Sequence, residues 1–137
     1  MPDLAQLNEF LARDFPQTRC TVVALGERTA TVHHPVGEAE LRPGGTVSGP
    51  VLMTVADVAL YVAILAEIGI VPLTVTTQLS VNFMRKPAAG RDILGVCTLL
   101  KLGRTLAVGE VALYSQGRDE MVAHAVGTYS IPPRALT

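Results

Sequence analysis

The sequence predicts an α+β domain in which antiparallel strands wrap one long buried helix. Residues 49–68 are apolar on nearly every side, a pattern typical of a helix enclosed by protein. Four strand-like segments then follow one another without an intervening helix. This order favours an α+β fold over an α/β fold, in which helices and strands would alternate.

Size and composition indicate a single domain over residues 1–137. Of these residues, 49% are apolar and 17% are charged, a balance that excludes a disordered chain. A net charge of −1 and an aromatic content of 4% disfavour a nucleic-acid partner. The apolar share is high for a monomer of this size, which favours burial of apolar surface against a second copy.

An N-terminal helix is predicted within residues 1–15. Asp3 and Gln6 have the spacing of a capping pair, and the Phe15-Pro16 pair ends the helix. Apolar residues recur at helical spacing along it, and these are Leu4, Leu7, Phe10 and Leu11.

Two short strands are predicted next, over Thr21–Leu25 and Arg28–His33. Residues 34–48 contain several prolines and glycines, which predict a loop. The central helix is predicted over residues 49–68. Its apolar stretch is shorter than the ~20 residues that a bilayer core requires, and Asp57 lies near its centre. We therefore expect a buried helix and not a membrane span.

Strands are then predicted over Thr74–Met84, Ile93–Leu102, Thr105–Tyr114 and Met121–Ile131. Turns at residues 103–104 and 115–120 give the last three the pattern of an antiparallel meander. Alternation in the first of these strands places Leu79 on one face and Thr76 on the other, with Thr77 as an exception to the pattern.

The cysteines and the N-terminal residues bear on cellular location. Cys20 and Cys97 have no partner at metal-ligand spacing, so we expect them to be small buried side chains in a reducing compartment. Residues 1–10 lack the basic and apolar regions of a signal peptide. These features predict a cytoplasmic protein without a bound metal or a membrane partner.

Asp57 is a carboxylate in the middle of the apolar helix. Burying an unpaired carboxylate is costly, so the residue needs hydrogen-bond partners or a chemical task. Thr54 and Tyr61 share its helix face and are the candidate local partners. Two interpretations remain open, a structurally satisfied Asp and a catalytic carboxylate.

The segment before this helix is rich in glycine and reads G-G-T-V-S-G-P over residues 44–50. Unpaired N–H groups and the helix dipole favour negative charge at such a helix N-terminus. Pro50 suits the first helical position, and the Gly49 amide is placed to stabilise a developing oxyanion. The alternative is a flexible linker with an ordinary cap.

Spacing along the helix constrains how Gly49 and Asp57 can cooperate. Eight residues separate them, which is roughly 12 Å along the helix axis. One helix cannot bring both groups to the same carbonyl. If both are catalytic, the Gly49 amide of one subunit must face Asp57 of another, so the chemistry predicts a dimer with composite sites.

Four motifs in this order resemble the hotdog-fold acyl-CoA thioesterases, specifically the phenylacetate-pathway (PaaI-like) branch. They are S-G-P-V-L-M-T-V-A-D-V-A-L at 48–60, T-V-T-T-Q-L-S-V-N-F-M-R-K-P-A-A-G at 74–90, L-G-R-T at 102–105 and A-H-A-V-G-T-Y at 123–129. The resemblance covers about residues 33–131. It implies a long central helix wrapped by a five- or six-stranded antiparallel sheet, in homodimers that pair into tetramers.

The resemblance also implies site residues. The family's helix acid, a nucleophile or general base, falls on Asp57, and its carbonyl-polarising amide falls on Gly49. The usual H-G-G motif is replaced by Ser48-Gly49-Pro50, and a loop Asn of many members corresponds to Arg42. These departures weaken the usual support of the thioester and indicate an altered substrate or reduced activity.

Further candidates follow from the same likeness. A hydroxyl residue on the strand after the helix orients water in related enzymes, and Thr76 and Thr77 match that position. CoA phosphates dock at strand ends in this fold, where Arg85, Lys86 and Gly103-Arg104 lie. The alternatives are β-branched residues chosen for a strand and solvated surface charges.

The leading hypothesis is hydrolysis of an acyl-CoA thioester to a free acid and CoA, with no cofactor. Replacement of the usual His by Ser48 motivates the alternative of a non-catalytic binder of acyl-CoA or a hydrophobic ligand. A hotdog dehydratase is a third possibility and is disfavoured, because such enzymes pair a His with the helix acid and no His occurs between residues 35 and 123.

Overall fold

A six-stranded antiparallel sheet wraps one long helix in the computed structural model, which describes residues 1–133. The helices are α1 (Leu4–Asp14) and α2 (Gly49–Ile68), and the strands are β1 (Thr21–Gly26), β2 (Thr29–His34), β3 (Leu41–Arg42), β4 (Thr46–Val47), β5 (Val75–Phe83), β6 (Ile93–Leu102), β7 (Leu106–Ser115) and β8 (Met121–Ser130). The predicted α+β fold is confirmed. Residues 134–137 of the predicted domain lie outside the described residues.

The sheet has the order β1-β2-β6-β7-β8-β5. Strands β6, β7 and β8 form the predicted meander, and β5 pairs with β8 at the edge. This crossover places the strand that follows α2 beside the last strand of the chain. It therefore brings distant parts of the sequence together along one side of the helix.

Helix α1 begins with the predicted capping box. Asp3 Oδ1 accepts the Gln6 N–H at 2.8 Å, and Gln6 Oε1 accepts the Asp3 N–H at 2.9 Å. The apolar face is buried at Leu7, Phe10 and Leu11, so α1 contributes to the core beside β1 and α2.

Helix α2 is the centre of the core. By length and composition it could cross a membrane, but most of it is buried inside this domain. Its prediction as a buried helix is confirmed. Cys20 and Cys97 are also buried and free, as expected, and burial raises the pKa of the Cys97 thiol to about 12.

The segment before α2 has more structure than the predicted loop. His34 extends β2, a 3₁₀ turn covers Glu38–Glu40, and β3 pairs with β4 across residues 43–45. Gly44 and Gly45 both have positive φ, at 100° and 76°, which permits this tight reversal. Two-residue strands carry too little periodicity to be recognised in a sequence.

Strand β5 contains a β-bulge that changes which residues face α2. The register shifts between Thr76 and Gln78, so Thr77 is the extra residue. The prediction that Thr76 lies on the face opposite Leu79 is therefore wrong. The bulge reverses the alternation, and both side chains turn towards the helix.

Two glycines let α2 approach the sheet closely. Gly109 on β7 pairs with Gly127 on β8, and Leu60 packs against both. A Cβ at Gly127 would lie 2.6 Å from Leu60 Cδ1, and a Cβ at Gly109 would lie 2.7 Å from Leu60 Cδ2. The paired glycines thus set the distance between helix and sheet.

Gly127→Ala should lower the free energy of unfolding by about 1–3 kcal/mol, because the added methyl group overpacks the site against Leu60. Urea denaturation measures this loss. In a Leu60→Ala background the side chain that the added methyl group would contact is gone, so the same substitution should lower the free energy of unfolding much less. Equal costs in both backgrounds would show that Leu60 does not set the helix–sheet distance.

Candidate active site

Asp57 lies midway along α2, half-buried, on the side that faces β5 and β8. The Thr76 hydroxyl donates to Asp57 Oδ1 at 2.6 Å. The Tyr129 hydroxyl lies 2.6 Å from the same Oδ1 and 2.8 Å from the Asp57 carbonyl oxygen. Two hydroxyl groups from neighbouring strands therefore converge on one carboxylate oxygen.

The predicted local partners of Asp57 are wrong. The Thr54 hydroxyl donates to the Pro50 carbonyl, and the Tyr61 hydroxyl donates to the Pro72 carbonyl. Thr54 follows the common habit of a helical Thr, which bonds back to the carbonyl four residues earlier. Asp57 is therefore satisfied from the sheet and not from its own helix.

Thr76 and Thr77 have different surroundings, although both match the same family position. Because of the bulge, Thr76 reaches Asp57, whereas the Thr77 hydroxyl donates to the Thr128 carbonyl on β8 at 3.2 Å. The structure thus brings Thr76 and not Thr77 to the carboxylate.

Tyr129 is the site residue that the sequence analysis missed. It is 3% exposed, and it pairs with Thr76 across the β5–β8 ladder. Burial raises the pKa of its phenol, and the nearby Asp57 carboxylate raises it further, so the hydroxyl stays protonated. Its position at the end of the A-H-A-V-G-T-Y motif was the available signal, but the pairing with Thr76 depends on the bulge.

A cavity of about 440 Å³ opens beside Asp57. Its walls come from α1 and the segment after it, from α2, from the start of β5 and the segment before it, and from β8. Aromatic side chains dominate the apolar part of the lining, and these are Phe10, Phe15, Tyr61 and Tyr129. The cavity can therefore hold an apolar group next to a carboxylate.

The N-terminus of α2 lies at the other end of the helix axis. Ser48 is the N-cap and makes no side-chain capping bond, and Gly49 is the first helical residue. Pro50 thus occupies the second position, one later than predicted, where an N–H would also lack an intrahelical acceptor. The Gly49 N–H has no acceptor within the helix and is available to a ligand.

A second cavity, of about 360 Å³, adjoins Gly49. Three of the predicted cationic residues line it, namely Arg42, Arg85 and Lys86. Arg85 is partly engaged, because its guanidinium donates to Glu120 at 2.7 Å and to the Met121 carbonyl at 2.9 Å. The cavity therefore combines a free helix amide with positive charge.

Gly103 and Arg104 lie elsewhere. They form the turn between β6 and β7, at the end of the sheet where β5 begins, whereas Arg85 and Lys86 follow the far end of β5. One chain therefore does not bring Arg104 to the cavity that Arg42, Arg85 and Lys86 share. Within residues 1–133, no group of three or more His, Cys, Asp or Glu side chains is arranged to hold a metal ion.

Solved structures share this fold. A protein of Silicibacter sp. TM1040 described as a candidate thioesterase is 49% identical, with a TM-score of 0.88 over 96% of this chain and 92% of that chain. Zebra fish thioesterase superfamily member 2 is 24% identical, with a TM-score of 0.83 over 96% and 100% of the two chains. A mutant of the phenylacetic acid degradation protein PaaI from Thermus thermophilus is 24% identical, with a TM-score of 0.73 over 86% and 97%. These likenesses confirm the hotdog fold.

Sequence comparison adds the family. A search of curated proteins finds no match. The profile described as thioesterase superfamily matches residues 44–122, which is more than half of the chain and includes Gly49, Asp57 and Thr76. Together with the relative that is 49% identical over 96% of this chain, this match shows that the chain belongs to the thioesterase superfamily.

Proposed function

We propose that the protein hydrolyses an acyl-CoA thioester to a free acid and CoA. Membership of the thioesterase superfamily supports thioester hydrolysis in general. The observation that carries the proposal is the state of Asp57. Its Oδ1 accepts from hydroxyl groups, while its Oδ2 has no donor within residues 1–133, and the residue lines the 440 Å³ cavity. A carboxylate oxygen that is free beside an apolar cavity suits attack on an acyl carbonyl.

Two routes fit this geometry. In the first, Asp57 Oδ2 attacks the thioester carbonyl, the C–S bond breaks, CoA leaves as the thiolate, and water then hydrolyses the enzyme-bound anhydride. In the second, Asp57 takes a proton from a water molecule that attacks the carbonyl directly. A single turnover in ¹⁸O-water tests for the first route: label in the Asp57 carboxylate establishes it, because water has then attacked the Asp57 carbonyl carbon of the anhydride, whereas the second route places label only in the free acid.

Both routes create negative charge on the carbonyl oxygen. A backbone N–H at a helix N-terminus stabilises such a charge, and the helix dipole adds to the effect. Gly49 offers this amide, but it lines a different cavity from Asp57 in the same chain. The second group of each site therefore comes from a second subunit.

The exposed edge of the sheet supports such a dimer. Within the described chain β5 pairs with β8 alone. Large apolar side chains are exposed at its two ends, where Val75 is 51% exposed and Phe83 is 53% exposed. An unprotected edge of this kind favours pairing with another strand. We propose that two copies pair antiparallel through β5, giving a homodimer that can assemble further as a dimer of dimers.

Antiparallel pairing of two β5 strands would complete the site. Thr76, which contacts Asp57, lies near the start of β5, and Phe83, whose ring lies beside Gly49, is at its end. A two-fold axis across β5 places the end of one strand opposite the start of the other. Gly49 of each subunit is thereby directed towards Asp57 of its partner.

The two cavities suggest how the substrate divides between the subunits. The aromatic cavity beside Asp57 suits the acyl group. Arg42 and Lys86 beside Gly49 suit the phosphates of CoA, and Arg104 near the start of β5 of the partner approaches the same region. In this proposal CoA is part of the substrate and not a cofactor, and the protein acts in the cytoplasm, where acyl-CoA is present.

Ser48 and Arg42 favour a second candidate, a non-catalytic binder of acyl-CoA. They replace the His and the Asn that stand at these positions in the thioesterases that the sequence resembles. Fewer groups would therefore support the thioester carbonyl than in those enzymes. Tight binding of acyl-CoA without release of free CoA would favour this candidate over hydrolysis.

Asp57→Asn should lower kcat about 10²–10⁴-fold on a panel of acyl-CoAs, because the amide can neither attack the carbonyl nor accept a proton. Thiol release detected with a disulfide reagent measures turnover. Asparagine keeps an oxygen for the Thr76 and Tyr129 hydroxyls, so the fold should persist. Turnover that survives the change unaltered would rule out this mechanism.

Gly49→Pro should lower kcat about 10²–10³-fold, because it removes the proposed oxyanion donor. Proline suits the first turn of a helix, and Ser48 has the extended backbone, φ −71° and ψ 152°, that a residue before proline requires. Gly49→Ala is the matched control. It keeps the N–H, and its Cβ would lie 3.4 Å from Phe83 Cζ, an ordinary contact, so its turnover should stay near wild type. Equal activity in the two variants would exclude this amide as the donor.

A further inference from the structure

We propose that Tyr129 is a positioning residue for the reaction: together with Thr76 it holds Asp57 Oδ1 and leaves Oδ2 as the reacting oxygen. This inference rests on the proposed function. It assigns a role to a residue on the last strand of the sheet, far in sequence from the helix acid. It also specifies which of the two carboxylate oxygens reacts.

The contacts of the Tyr129 hydroxyl are the first observation. This one group lies 2.6 Å from Asp57 Oδ1 and 2.8 Å from the Asp57 carbonyl oxygen, so it touches both the side chain and the backbone of the residue. Its single proton is donated to either acceptor. The terminal torsion of an Asp side chain is broad when unrestrained. Contact at two points on the residue restricts this torsion.

Thr76 supplies the second point of restraint. Its hydroxyl donates to the same Oδ1 at 2.6 Å from the neighbouring strand. With Tyr129 and Thr76 both on Oδ1, the carboxylate cannot exchange its two oxygens without losing two hydrogen bonds. The oxygen that remains without a donor in the described part of the chain, Oδ2, is then the one available to the substrate.

The Tyr129 ring is itself held rigidly. The residue is 3% exposed and paired with Thr76 in the ladder. Its ring stacks on Tyr61, with centroids 6.1 Å apart, and the Tyr61 hydroxyl is in turn fixed to the Pro72 carbonyl at 2.9 Å. A buried donor that is held by strand pairing and ring stacking restricts the position of its acceptor, as a near-attack geometry requires.

Tyr129→Phe, compared with Tyr114→Phe, separates positioning of Asp57 from the loss of a phenol elsewhere in the sheet. Both changes delete a phenolic oxygen from a sheet strand, Tyr129 on β8 and Tyr114 on β7, but only the first deletes a contact to Asp57. We expect Tyr129→Phe to lower kcat about 10- to 100-fold with KM nearly unchanged, because a misplaced carboxylate still permits binding. Tyr114→Phe should leave kcat within about threefold. Equal kcat values in the two variants overturn the inference.

A second measurement uses the folded protein without turnover. In Asp57→Asn the acceptor of the Tyr129 hydroxyl loses its negative charge, so the hydrogen bond weakens. The ¹³Cζ signal of Tyr129 in protein with ¹³C-labelled tyrosine should therefore shift at neutral pH. A signal that does not move means that the contact with Asp57 is absent and overturns the inference.

The outcomes separate this inference from the proposed function. If Asp57→Asn retains full turnover, the proposed function fails and the inference fails with it. If Asp57→Asn abolishes turnover while Tyr129→Phe matches Tyr114→Phe, the inference alone fails.

Discussion

The hydrogen bonds to Asp57 are the interaction on which the site depends. A carboxylate on an otherwise apolar buried helix is costly unless donors stabilise it. Both donors come from the sheet, Thr76 from β5 and Tyr129 from β8. They meet at the helix because β5 crosses over to pair with β8, and because the bulge at Thr77 turns Thr76 inwards. The glycine pair under Leu60 lets the helix approach closely enough for these contacts.

Periodicity was sufficient to predict the elements of the fold and the unusual position of Asp57. The long apolar run predicted a core helix, and alternation predicted the meander strands. The partners of Asp57 could not be predicted in this way. A single inserted residue, Thr77, reverses the alternation of β5, and nothing local in the sequence marks it. Tyr129 was missed for the same reason, since its approach to Asp57 depends on strand pairing over 72 residues.

Helix α2 separates the two groups that the proposed reaction requires. Its first amide, at Gly49, lines one cavity, and its carboxylate, at Asp57, lines another. Many of the apolar residues that make up 49% of the chain lie in this helix, and others lie at the unpaired edge of β5, where Val75 and Phe83 are exposed. Pairing of two β5 edges would cover that surface and join the two half-sites. The proposed dimer would thus account for both the exposed edge and the separation of Gly49 from Asp57.

The most direct test of the composite site is subunit mixing. Gly49→Pro and Asp57→Asn subunits should each be inactive in their own homodimers, but a mixed dimer has one site with both groups intact. When equal amounts of the two variants exchange subunits at random, half of the dimers are mixed, and each mixed dimer has one intact site of two. About a quarter of wild-type turnover should therefore be restored. Activity no greater than the sum of the separate variants would contradict a site shared between subunits.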